Sequence, residues 1–114
     1  MEVIFKMAYE LIVTAHIAHL QTKSYAEHKL MQEIYDGLPG MLDSLMESHQ
    51  GKTGGVIKNI GNITPGNLDN YASYIDKLIR YIESQLDVVS LDIQDELLAI
   101  MNFLNAIKYK MTLK

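Results

Sequence analysis

Cysteine is absent from the 114 residues of the chain, which excludes disulfides, thiolate metal sites and cysteine nucleophiles. Proline occurs twice and glycine seven times. Both are scarce outside Gly51 to Gly66, so little else interrupts regular structure. No block of positive charge is present: ten Lys and Arg stand against fourteen Asp and Glu, for a formal net charge of −4. A nucleic-acid binder needs several phosphate-neutralising cations on one face. The one basic concentration, Lys108, Lys110 and Lys114, falls in the last turns of a helix, where it complements the helix dipole. No nucleic-acid partner is expected. Long uncharged apolar runs are missing too. The most apolar stretch, Val3 to Leu20, contains Lys6, Glu10, His16 and His19, which argues against a membrane span. The start lacks the charged region and small-residue cleavage site of a signal peptide, so a cytoplasmic location is expected.

What remains is helical periodicity. The length suits a single domain, residues 1–114, large enough for one core without staples. A first helix over about residues 3–22 carries a broad stripe of Ile4, Met7, Ala8, Leu11, Ile12, Ala15 and Ala18. Its opposite side, Val3, Phe5, Val13 and Ile17, is apolar as well. A helix apolar nearly all round is covered on both sides, and the second side is expected to meet another subunit. Ser24 with Glu27 forms a capping-box pattern that opens a second helix over about 25–49, with Leu30, Ile34, Leu38, Leu42 and Leu45 inward. Pro39 inside it removes one backbone bond, so a kink or a break is expected near Asp36, with a kink preferred. Residues 51–64 form the long connector. Roughly fourteen extended residues reach about 40 Å or more, enough to cross the whole bundle, as in ferritin-like folds. Thr64-Pro65 reads as the start of a third helix over about 65–86, and Ser90 as the cap of a fourth over about 91–112. The fold class is therefore all-α: a ferritin-like four-helix bundle with one long crossover between the second and third helices.

The histidines carry the chemical signal. In the hairpin of the first two helices, residue i faces roughly residue 47 − i, which sets His19 against His28, with His16 one turn from His19. Three imidazoles thus gather near one end of the pair. On the second helix, at about 100° per residue, Asp36, Asp43 and Glu47 share a face with His28. His28 and Asp43 lie about 22 Å apart along that helix, so they meet at one ion only if two subunits pack antiparallel.

The run of His16, His28, Asp43 and Glu47, with Tyr35, the segment Leu42-Asp43-Ser44-Leu45-Met46-Glu47 and a glycine exit at Gly51, resembles the ferroxidase region of Dps-type mini-ferritins. The likeness covers about residues 1–51. It departs from that pattern at Ile17, where the family usually has tryptophan, at the turn Gln21-Thr22-Lys23-Ser24, and at Pro39. The segment His19 to His28 also resembles small ferritin-like proteins encoded by tailed bacteriophages. These resemblances imply a homo-oligomer with an antiparallel two-fold through the first two helices. They imply a metal site of His16 and His28 from one subunit with Asp43 and Glu47 from its mate, holding iron, with zinc or manganese as alternatives, and a weak ferroxidase activity. If phage-encoded, the protein acts in the host cytoplasm. The rival reading is a metal-free binding module that sequesters a host protein or a small signalling nucleotide at subunit interfaces, with Lys23, Lys52, Lys58 and Arg80 as anion contacts. A purely structural assembly protein is the third reading. Tyr71, Tyr74 and Tyr81 are candidates for lining a ligand pocket between subunits. Gly51-Lys52-Thr53-Gly54-Gly55 only superficially suggests a phosphate loop, since no strand precedes it, and reads as a connector.

Overall fold

A computed structural model describes residues 1–113; Lys114, of the basic end, lies outside the described residues. Helix α1 spans Glu2–Gln21, α2 Tyr25–Thr53, α3 Tyr71–Gln85 and α4 Leu91–Met111, with a short 3-10 turn over Leu86–Val88. No strand occurs among the described residues, so the all-α, four-helix expectation holds.

The core consists of one stripe from each helix. Ile4, Ala8, Leu11, Ala15 and Ala18 of α1 meet Leu30, Ile34, Leu38, Leu42 and Leu45 of α2. Ile75, Leu78 and Ile82 of α3 and Ile93, Leu97, Ile100, Leu104 and Ile107 of α4 complete it. Burying a side chain of this size contributes about 1.5–3 kcal/mol, and that explains why α2 is not broken at Pro39. Leu38 and Leu42, on either side of the proline, are both fully buried. Holding both in the core outweighs the ~3 kcal/mol cost of an interior proline. Gly37 contributes to the same region: a Cβ there would stand 3.1 Å from the Phe103 ring, so its absence lets α4 approach.

Two boundaries differ from the sequence reading. Helix α2 runs to Thr53 rather than 49, because Gly51 does not stop it. The stop is Gly54, left-handed at φ 76°, whose N–H bonds the Gln50 carbonyl at 2.8 Å. Such a cap favours glycine because no Cβ opposes the positive φ. The last turn is also tied down by the Lys52–Asp92 ion pair. The third helix begins at Tyr71, not at Pro65. Asn67 and Asn70 hold the preceding residues in a turn: the Asn70 side chain accepts from Asn67 N, and Asn67 accepts from Asp69 N. Asparagine competes with helix in this way wherever its amide reaches a nearby backbone N–H. The connector therefore covers 54–70 instead of 51–64.

That connector travels the length of α1. Lys58 N donates to Glu2, Thr64 N to Glu10, Gly66 N to the Thr14 hydroxyl and Leu68 N to Gln21. Both sequences advance together, so the connector runs parallel to α1 and returns the chain to the α1–α2 turn. Side chains of α1 thus satisfy backbone donors that belong to no helix. Gly66 is required for its close approach, since any Cβ would collide with Asn70 and the Tyr74 ring. Across the α2–α4 contact, Lys52–Asp92 and Glu33–Lys110 pair in antiparallel order. Helix α1 packs against α2 and α3. Its apolar surroundings are therefore partly met within the chain, by two helices and the connector. By length and composition α1 would be able to cross a membrane, yet its inner stripe is bundle core and its other faces carry Lys6, Glu10 and His16.

Candidate functional site

The α1–α2 turn is built around Glu27. Ser24 Oγ accepts the Glu27 N–H at 3.2 Å, which is half of the expected capping box. The other half does not form. The Glu27 carboxylate takes the Thr22 hydroxyl at 2.5 Å and the Tyr71 hydroxyl at 2.6 Å, while Ser24 N turns to Thr22 Oγ1. Two hydroxyl donors outcompete one backbone amide for the carboxylate, and through Tyr71 they fasten the turn to α3. Burial, then the hydrogen bond and charge of Glu27, push the Tyr71 phenol well above its ordinary value.

This turn sets the hairpin register, and the register brings His19 and His28 together as expected. Each Nδ1 lies 2.8 Å from the other residue's backbone carbonyl. A carbonyl only accepts, so both Nδ1 atoms carry hydrogen, and Nε2 is the nitrogen left with a lone pair in each neutral ring. The rings stack with centroids 3.6 Å apart. His16 joins from the preceding turn, edge-on to His19 at 6.1 Å. Its own ring stacks on Tyr35 at 4.3 Å. Sequence reasoning missed Tyr35 as part of the cluster; it lies seven residues, about two turns, beyond His28 on the same face of α2, and that spacing is the signal for it. His16 is exposed, whereas His19, His28 and Tyr35 are half-buried.

Asp43 and Glu47 are both exposed on α2, one helical turn apart and so on one face. The chain does not bring them to the histidines. Among the described residues, no group of three or more His, Asp or Glu is placed to hold a metal ion within one copy. The donor set itself, two imidazoles and two carboxylates, suits iron, zinc or manganese. In addition, a ring N–H bonded to a backbone carbonyl is how metal-ligating histidines are usually oriented. His28 has that arrangement; His16 does not.

Two of the anion contacts of the rival reading are far apart within one copy. Lys23 and Lys52 stand near opposite ends of α2, and Lys52 is paired with Asp92 at 3.2 Å. Within one copy, the Tyr71 hydroxyl bonds Glu27 and the Tyr74 hydroxyl donates to the Thr64 carbonyl. Gly51 to Thr53 are the end of α2 and Gly54 its cap, so the phosphate-loop likeness has no structural counterpart.

A family described as a family of unknown function, DUF5856, matches residues 19–111, and the chain belongs to it. No curated protein and no solved structure matches the chain. The matched span contains His19, His28, Asp43 and Glu47, and His16 precedes it.

Proposed function

We propose that this member of the DUF5856 family is a ferritin-like homo-oligomer that binds a divalent transition metal between two copies. His16 and His28 of one copy act with Asp43 and Glu47 of another, and iron is the expected ion. The observation that carries the reading is the bond from His28 Nδ1 to the His19 carbonyl at 2.8 Å, which fixes the tautomer a ligand needs and leaves Nε2 as the donor nitrogen. Two further features support it. The carboxylates of Asp43 and Glu47 are exposed, and the outer side of α1 keeps Leu20 exposed with Val13 and Ile17 only half-buried, an apolar strip suited to a second copy. In that arrangement the carboxylates neutralise the cation and the imidazoles set its geometry. Ferrous iron, as substrate, would give up one electron there to dissolved dioxygen, which two such irons and two protons would convert to hydrogen peroxide.

The test is elemental analysis of the purified oligomer, with its mass by light scattering, before and after incubation with ferrous iron. About one ion per subunit or subunit pair is expected, lost in the Asp43→Asn/Glu47→Gln double variant with helicity intact. A monomer, or an oligomer that takes up no metal, overturns the reading, as does unchanged uptake by the double variant.

A further inference from the structure

The two ends of the α1–α2 pair carry apolar surface of opposite shape. At the turn, Leu20 and Tyr25 are 74% and 75% exposed. At the far end, where α2 stops and the connector starts, a cavity of about 350 Å³ has Met1, Glu2, Val3, Gln50, Val56 and Ile57 in its lining. Two backbone bonds shape it. Ile57 N donates to the Gln50 side chain and Lys58 N to Glu2, which draws the connector across the ends of both helices. Val3 and Val56 stay 47% and 66% exposed there.

The projecting residues and the cavity share a side of the molecule. At about 100° per residue, eighteen residues make five full turns. Leu20 comes eighteen residues after Glu2 on α1, and Asp43 eighteen after Tyr25 on α2. Gln50, seven after Asp43, falls within about 20° of it. Leu20 therefore shares a face of α1 with Glu2, and Tyr25 a face of α2 with Asp43 and Gln50. Their heights correspond as well. An antiparallel two-fold that sets His28 against Asp43 and Glu47 of another copy brings Tyr25 opposite about residues 46–50 of that copy's α2. Through the hairpin register, the same operator brings Leu20 level with the first turn of its α1.

We propose that Leu20 and Tyr25 of each copy seat in the end cavity of the other, and that this contact fixes the register of the pair. The inference rests on the two-fold reading above. The occupant is a second copy because the operator that joins the proposed ligands also carries the turn to the height and face of the cavity. The contact is isologous and is made twice about one axis. Leu20 and the Tyr25 ring cover Met1, Val3 and Val56, while the Tyr25 hydroxyl has the Gln50 amide as a polar neighbour. An aromatic anchor filling a pocket is the usual form of an interface hot spot. Tyr25 also lies against the His28 ring, with centroids 6.2 Å apart, so seating it holds that end of α2 against the carboxylate end of the other copy.

The chain contains no cysteine, so introduced pairs report on neighbours cleanly. Lys23→Cys and Gly55→Cys are combined in the full chain and treated with a short bis-maleimide. Both positions are exposed, and an added Cβ at Gly55 meets only the Thr53 hydroxyl at 3.7 Å. The 29 residues of α2, about 43 Å of helix, separate them within one copy, so a link between them joins two copies. Lys23→Cys with Leu91→Cys is the control, since Leu91 is exposed at the start of α4. A covalent dimer is expected on a denaturing gel from the first pair, with several-fold less from the control. Leu20→Ser/Tyr25→Ser alters only exposed side chains and should weaken self-association about tenfold or more by analytical ultracentrifugation, with helicity intact. No dimer from the first pair, equal linkage in the control, or unchanged association of the double serine variant overturns the proposal. Its failure is separable from that of the metal reading. A linked dimer that takes up no iron supports the docking and removes the metal site; iron held between copies that do not link overturns the docking alone.

Discussion

His19 and His28 each donate Nδ1–H to the other's backbone carbonyl, at 2.8 Å in both directions, with their rings stacked between the two bonds. The arrangement joins α1 to α2 through main-chain acceptors near the last turn of one helix and the first turn of the other. The His19 carbonyl is among the last four of α1, which lack a helical donor, whereas the His28 carbonyl lies inside α2 and takes the His19 bond on its second lone pair. The pair therefore acts on the hairpin's register as well as on its stability.

If the two histidines act as one unit, replacing either with alanine should cost ~1–3 kcal/mol, because both bonds and the stack depend on the remaining ring staying in place. The double variant should cost clearly less than the sum of the singles. Denaturant unfolding of the four proteins of the cycle measures this, and additive losses would show that the rings do not cooperate.

Thr14 predicts the strength of the connector's attachment. It is fully buried, donates to the Glu10 carbonyl at 2.6 Å and accepts the Gly66 N–H at 2.8 Å. Thr14→Val keeps the shape and leaves the Gly66 donor without a partner, a loss of ~1–3 kcal/mol; Thr14→Ser should largely retain the wild-type stability. Limited proteolysis should cut the valine variant faster within residues 54–70 than elsewhere. An unchanged digestion pattern would mean that the connector is held by other contacts.

Tyr71 makes stability sensitive to alkali. Burial and the Glu27 carboxylate raise its phenol above the ordinary value of 10. Above about pH 10 the unfolded chain releases this proton while the folded chain keeps it. The unfolded state therefore binds fewer protons, and stability falls as pH rises. Tyr71→Phe should cost ~1–2 kcal/mol at neutral pH through the lost hydrogen bond, and should reduce the decline between pH 9 and 11. Thermal melts across that range decide it: a decline as steep as the wild type's would place the alkaline sensitivity elsewhere.

Helices with strong periodic stripes were legible in the sequence, and so was the pairing of His19 with His28, because a short turn leaves one register open to a hairpin. What escaped sequence reading depended on competition for hydrogen bonds over long separations. Glu27 matches a capping box locally, yet it is claimed by Thr22 and by Tyr71, which comes 44 residues later. Thr64-Pro65 looks like a helix start, but Gly66 to Asn70 are held by α1 and by one another. Glu96 reads as an ordinary acidic residue in the first turns of a helix. Only the packing of α2 against α4 shows that one of its oxygens is enclosed and has no hydrogen-bond partner among the described residues. Asp43 and Glu47 stay where helical geometry put them, on an exposed face of α2 far from His28.

The connector's use of Glu2, Glu10, Thr14 and Gln21 as acceptors bears on the order in which the molecule is assembled during synthesis. Helix α1 is made first, but some of its partners arrive about fifty residues later. At synthesis rates of about 5–20 residues per second, its apolar flank waits several seconds with only α2 to lean on. A hairpin of two helices with one uncovered side is the species most exposed to premature association, so substitutions that delay closure of the connector should lower the yield of soluble protein more than they lower the stability of the finished fold.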